Sequence, residues 1–138
     1  MAGTKIEIGN LEEICKKVLE FDPKIRFVSV LSEKGALLTS HKKEGIKLLL
    51  NERHQEMLFM EAALVTRMHK EYDEELGKLE FVSIDRERIV LVGVPFDGHL
   101  LYLTAEKSID LKKTISKILS TINLFTNQKP HNDQGVKK

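Results

Sequence analysis

Apolar residues recur along this chain in two rhythms, one helical and one alternating. Leu11, Ile14, Cys15, Val18 and Leu19 fall at helical spacing and form one narrow stripe. Asn10 precedes them, with Glu13 three positions on, a capping-box variant that satisfies free N–H groups of a first turn. Pro23 ends this helix, because Asp22 before it is pushed out of helical geometry. Residues 25–31, rich in β-branched and aromatic side chains, read as a strand. A turn at 32–35 and a returning strand at 36–40 follow. Residues 42–45 read as a loop, and 46–50 as an apolar connector without assigned structure.

The spacing then predicts a long helix over 52–76, free of Pro and Gly, with Gly77 placed as its C-terminal cap. Arg67–Glu71 and Lys70–Glu74 are charge pairs at i,i+4 on its outer side. Three strands are predicted at 79–84, 88–94 and 100–105, the second apolar enough to be central. Asp97-Gly98 in the last connection is a strong hairpin signal. Asp110 caps a final helix that carries Leu111, Ile115, Ile118, Leu119 and Ile122 on one face. Residues 1–9 read as a flexible lead, 10–125 as a single domain, and 126–138 as a disordered polar tail. The order α-β-β-α-β-β-β-α predicts an α+β fold. Its five-stranded antiparallel sheet would carry the long helix on one face and the terminal helices on the other.

On the long helix, Met57, Leu58, Met60, Leu64, Val65, Met68, Tyr72 and Leu76 span an arc of roughly 160°, wider than the stripe of about 100° that one sheet needs. Two readings fit. The helix is buried deeply in its own domain, or it is shared with a second subunit through Met57, Met60, Leu64, Met68 and Tyr72. Glu61 lies near the middle of the arc, with His54 two turns earlier. A buried carboxylate needs a partner. Either helix curvature takes Glu61 to water or a backbone donor, or it pairs with a base such as His54 or an arginine, or it belongs to a metal or proton-transfer site. Phe59 points away from the arc, beside Ala63, and reads as a lone exposed aromatic.

This order of elements resembles the roadblock family, and more broadly the profilin-like and longin-like folds, over roughly residues 10 to 124. The segments that carry the resemblance are FVSVLSEKGALLTS, HKEYDEELG and VLVGVPFDGHLLYLTAE. The chain also looks like a group of small archaeal proteins with DPKIRF, EMLFMEAAL and LYLTAEKSID-type segments, a likeness that implies no established activity. The roadblock resemblance implies a non-enzymatic homodimer that meets a protein partner such as a small GTPase. The alternative is a sensor holding a small molecule between sheet and helix. A cavity lined by Met57, Leu64 and Met68 would favour the sensor, and an apolar strip on the outer helix face would favour the dimer.

Composition narrows the chemistry. With 22 Lys+Arg against 21 Asp+Glu the net charge is +1, which argues against a dedicated nucleic-acid binder. His41-Lys42-Lys43, Lys112-Lys113 and Lys137-Lys138 lack interleaved aromatics and read as solvated surface. The single cysteine, Cys15, allows no internal disulfide and reads as a small core residue. That scarcity, and the want of any apolar run near the roughly 20 residues that span a bilayer, suggest a cytoplasmic protein with no membrane span. None of the five histidines has zinc-motif spacing, and no phosphate loop, dinucleotide fingerprint or nucleophile elbow is present. No catalytic residue, metal or cofactor is expected.

Overall fold

A computed structural model describes residues 7–126. In chain order the elements are α1 (Ile8–Leu19), β1 (Ile25–Leu31), β2 (Leu37–Lys42), α2 (Glu52–Lys70), α3 (Asp73–Leu76), β3 (Val82–Asp85), β4 (Ile89–Phe96), β5 (His99–Glu106) and α4 (Leu111–Thr126). The strands form one antiparallel sheet in the order β2-β1-β5-β4-β3. This is the α+β arrangement expected, with α2 on one face and the terminal helices on the other.

Alternation along the strands sorts the core into two layers. Val28 and Val30 of β1, Val90, Val92 and Val94 of β4, and Leu101, Leu103 and Ala105 of β5 point to one face. There they meet Leu11, Ile14, Cys15 and Val18 of α1 and Ile115, Ile118 and Ile122 of α4. Phe27, Leu31, Leu91, Leu100 and Tyr102 point to the other face, where Phe59 of α2 meets them. Ser29 sits among these apolar groups fully buried and donates to the Tyr102 carbonyl at 2.9 Å, so its hydroxyl is satisfied.

Several boundaries differ from expectation. Helix α1 starts at Ile8, so Glu7 stands at its N-cap and Asn10 lies within the first turn, donating its N–H to the Glu7 carbonyl at 2.9 Å. Residues 8 and 9 of the expected lead are therefore helical; its residues 1–6, and residues 127–138 of the expected tail, lie outside the described residues. The single long helix is two. It stops at Lys70, Tyr72 turns aside at φ −97° and ψ 9°, and α3 adds one turn, held where Asp73 Oδ1 accepts from the Leu79 N–H at 3.1 Å. That break separates Lys70 from Glu74, and Arg67 donates to the Glu33 carbonyl, so neither expected i,i+4 pair forms. Pro95 lies inside β4, past the end of the β3 pairing at Val82–Gly93, where no ladder donor is needed on that side. Asp97 (φ 48°) and Gly98 (φ 76°) make the two-residue turn of a type I′ hairpin. Asp110 does cap α4, its Oδ1 accepting from the Lys113 N–H at 3.2 Å.

The turn between β1 and β2 reaches across to α2. Gly35 has φ +92°, and a Cβ there would lie 2.8 Å from the Met60 Cα and 3.0 Å from the Phe59 carbonyl oxygen. Both atoms are backbone and neither can move aside. Gly35→Ala is expected to cost about 2 kcal/mol or more, adding left-handed strain to a clash. Gly45→Ala has φ strain but nothing within 4 Å of its Cβ, and should cost less. Urea unfolding of the two variants checks the difference.

Candidate functional site

Asn51 caps α2, its Oδ1 accepting from the His54 N–H at 2.8 Å. The helix then lies on the sheet through Phe59, Ala63 and Thr66, all buried, with Leu58 and Ala62 beside them. Phe59 is 4% exposed and meets the Tyr102 ring edge-on, centroids 6.1 Å apart at 87°. The expectation of a lone exposed aromatic is thus reversed. The physical reason is close approach. Alanine and threonine count for little in an apolar arc, yet they let the helix backbone settle on the sheet, and Phe59 fills what remains. Thr66 loses no hydrogen bond there, since it donates to the Ala62 carbonyl at 2.8 Å.

Leu58 and Val65 of the wide apolar arc turn toward the sheet, and the rest of the arc faces outward. Met57 is 54% exposed, Met60 60%, Leu64 48%, Met68 56% and Tyr72 50%. The first four form one row along α2, Tyr72 stands just past its end, and Phe81 and Ile84 continue exposed apolar surface beside it at β3. Strand β3 ends the sheet, so its outer edge pairs with no strand among the described residues. Glu61 and His54 also lie in solvent on this side. No ion pair joins them; among the described residues such pairs are Lys17–Glu13 and Lys107–Asp85.

A crevice opens between α2 and the β3 side of the sheet, lined by Glu61, Val65, Val82, Leu91 and Tyr102 among others. Its volume is about 60 Å³, far below the roughly 300 Å³ at which pockets for drug-sized ligands begin. Met57, Leu64 and Met68 do not line it. Tyr102 Oη is buried here without a hydrogen-bond partner. Burial, with the negative charge of Glu61 adding to it, pushes this phenol well above its ordinary value of 10.0.

On the opposite layer Cys15 is fully buried, and burial first, then the charge of Glu12, pushes its thiol from 9.0 up to about 12. It stays protonated at neutral pH and serves as packing, as the sequence suggested. Among the described residues no group of three or more His, Cys, Asp or Glu side chains is placed to hold a metal ion. No described helix is long and apolar enough to cross a membrane.

Five antiparallel strands in the order 2-1-5-4-3, a long helix on one face and two terminal helices on the other place this protein in the roadblock class of folds. The chain belongs to the family described as "Family of unknown function (DUF6659)", whose model matches residues 3–127. Solved structures agree on the fold. The gliding protein MglB from Thermus thermophilus superposes with a TM-score of 0.69 at 12% identity, covering 94% of this chain and 100% of that one. MglB from Myxococcus xanthus gives 0.66 at 13% identity, covering 87% and 94%. A Roadblock/LC7 domain from Streptomyces avermitilis gives 0.65 at 13%, covering 83% and 92%. At these identities the likeness is one of fold. No curated protein matches the sequence.

Two measurements test the burial pattern. Phe59→Ala is expected to destabilise by about 3 kcal/mol or more, and its neighbour Met60→Ala by less than about 1 kcal/mol, because only Phe59 leaves a cavity. Thermal or urea unfolding reads the contrast. The native Cys15 thiol should resist Ellman's reagent at pH 8 and react fully in denaturant. The raised folded value also means that the unfolded chain releases the thiol proton first, so this cysteine's contribution to stability is lost as pH rises from about 9 toward about 12.

Proposed function

We propose that this protein is a non-enzymatic interaction module of the cytoplasm. It pairs with a second copy through the outer face of α2 and presents the pair to a protein partner. The observation that carries the reading is the row Met57, Met60, Leu64, Met68 and Tyr72, five large side chains each about half exposed. Contiguous apolar surface of this kind marks an interaction site, and methionine suits a surface that must adapt to its partner. The unpaired β3 edge and Phe81 and Ile84 extend the same side of the molecule.

A symmetric pair fits this row. In a two-fold interface each copy presents the same patch, so covering the whole row puts the axis at its middle. The middle falls between Leu64 and Val65, and the helices run antiparallel, Met57 of one copy against the partner's Tyr72. Among similar folds, MglB has been solved in a tetrameric arrangement, with a TM-score of 0.63 at 13% identity. The class of partner that the roadblock resemblance implies is a small GTPase. The sensor reading has less support, because the crevice between helix and sheet is small and Met57, Leu64 and Met68 face away from it.

Light scattering on a size-exclusion column should give twice the chain mass of 15.8 kDa. Leu64→Glu or Met68→Glu should halve the mass while leaving the stability of the dissociated chain within about 0.5 kcal/mol, since neither residue packs in the core. A wild-type monomer at every loading concentration would reject the pairing. Affinity capture with a panel of purified small GTPases, using the wild type and Leu64→Glu, tests the partner class.

A further inference from the structure

One polar group of the crevice is buried without a partner, and a carboxylate stands in solvent at the crevice rim. Tyr102 is 4% exposed, and its hydroxyl makes no hydrogen bond. A buried O–H without an acceptor is a standing cost. Glu61 stands at the rim of the same crevice and joins no ion pair. Around them the walls are apolar: Val65, Val82, Ile84 and Leu91. Thr66, the other hydroxyl there, already donates to the Ala62 carbonyl.

The paired arrangement proposed above, on which this inference rests, places Glu61 about one helical turn from the two-fold axis. Covering the apolar row would strip water from its carboxylate. An unpaired carboxylate out of water is costly, so it must find a donor. The two-fold sets Met68, which carries no donor, opposite Glu61 on the second copy. A buried donor without an acceptor lines the same crevice as Glu61, the Tyr102 hydroxyl of its own chain. We infer that closure of the pair turns the Glu61 carboxylate into the crevice, where it accepts a hydrogen bond from the Tyr102 hydroxyl, making a polar latch inside an otherwise apolar interface. Tyr102 is the positioning residue of the latch and Glu61 its moving part. The charge near the axis admits only a surface that seals the crevice without bringing a second acceptor.

A double-mutant cycle on the full chain tests this by sedimentation equilibrium. Tyr102→Phe removes the donor and should raise the dimer Kd about tenfold or more, since the buried carboxylate is left unpaired. The same substitution should leave the thermal stability of the dissociated chain unchanged or higher, because it deletes an orphan hydroxyl. Glu61→Leu added to Tyr102→Phe removes both partners and should return Kd to within about threefold of wild type. Glu61→Gln keeps an acceptor and should shift Kd less than Tyr102→Phe. A dimeric wild type in which the Tyr102→Phe and Glu61→Leu effects simply add would overturn the latch and leave the pairing intact. A monomeric wild type overturns both. As a readout that needs no variant, the ¹³C shift of the Glu61 side-chain carboxyl should change as the wild-type dimer is diluted apart; a constant shift through dissociation counts against the latch.

Discussion

Strand β5 and its neighbours β1 and β4 are apolar on both faces, and the rest of the architecture follows from covering them twice. Val90, Val92 and Val94 alternate with Leu91, and Leu101 and Leu103 alternate with Leu100 and Tyr102. A sheet with only one wet face would show polar residues at every second position. Here neither set can be left to solvent. Helices must therefore lie on both sides, and the strand order 2-1-5-4-3 puts the most apolar strands in the middle of both layers.

The two covers are built differently, and the difference makes the exposed apolar surface. Helices α1 and α4 bury large aliphatic side chains such as Leu11, Ile14, Ile118 and Ile122, so their apolar faces are spent on the core. Helix α2 instead settles on Ala62, Ala63 and Thr66, anchored by Phe59. Small residues at the contact let its backbone sit low and leave its large residues no room inside. Met57, Met60, Leu64 and Met68 are thus directed outward by the way the helix packs. An apolar face with no use in its own fold is the strongest sign of binding that the molecule carries.

Most of this architecture could be read from the sequence, because the terminal helices and central strands carry large apolar residues in clean periods. Leu11, Ile14, Val18 and Ile118 reach the core where their spacing put them. The row Met57, Met60, Leu64, Met68 and Tyr72 was legible as one broad stripe, but its direction was not. Hydrophobic weight points an isolated helix toward its largest residues, whereas contact with the sheet selected its smallest. Phe59 was misjudged for the same reason, since its neighbours Ala63 and Thr66 add little weight. The helix break at Tyr72 had no Pro or Gly to announce it; what marks it is a local side-chain bond, Asp73 accepting from the Leu79 N–H. The Glu61–Tyr102 juxtaposition joins α2 to β5 across a long stretch of chain and lies beyond any local pattern.

Fold and surface meet at one residue. The Met60 backbone lies against Gly35, too close to admit a Cβ, while its side chain stands in the outward row. The β1–β2 turn thereby fixes how far α2 can slide along the sheet. Ser32 secures that turn, donating its N–H to the Ala36 carbonyl at 2.8 Å and accepting from the Ala36 N–H at 3.1 Å through Oγ. The same placement sets the row's position relative to the β3 edge and brings Glu61 to the rim of the Tyr102 crevice. A helix held only by its apolar contacts could shift by a fraction of a turn at little cost. One held by a close backbone-to-backbone contact shifts less readily. The glycine on the far side of the helix is therefore as much a determinant of the outward face as the methionines that form it.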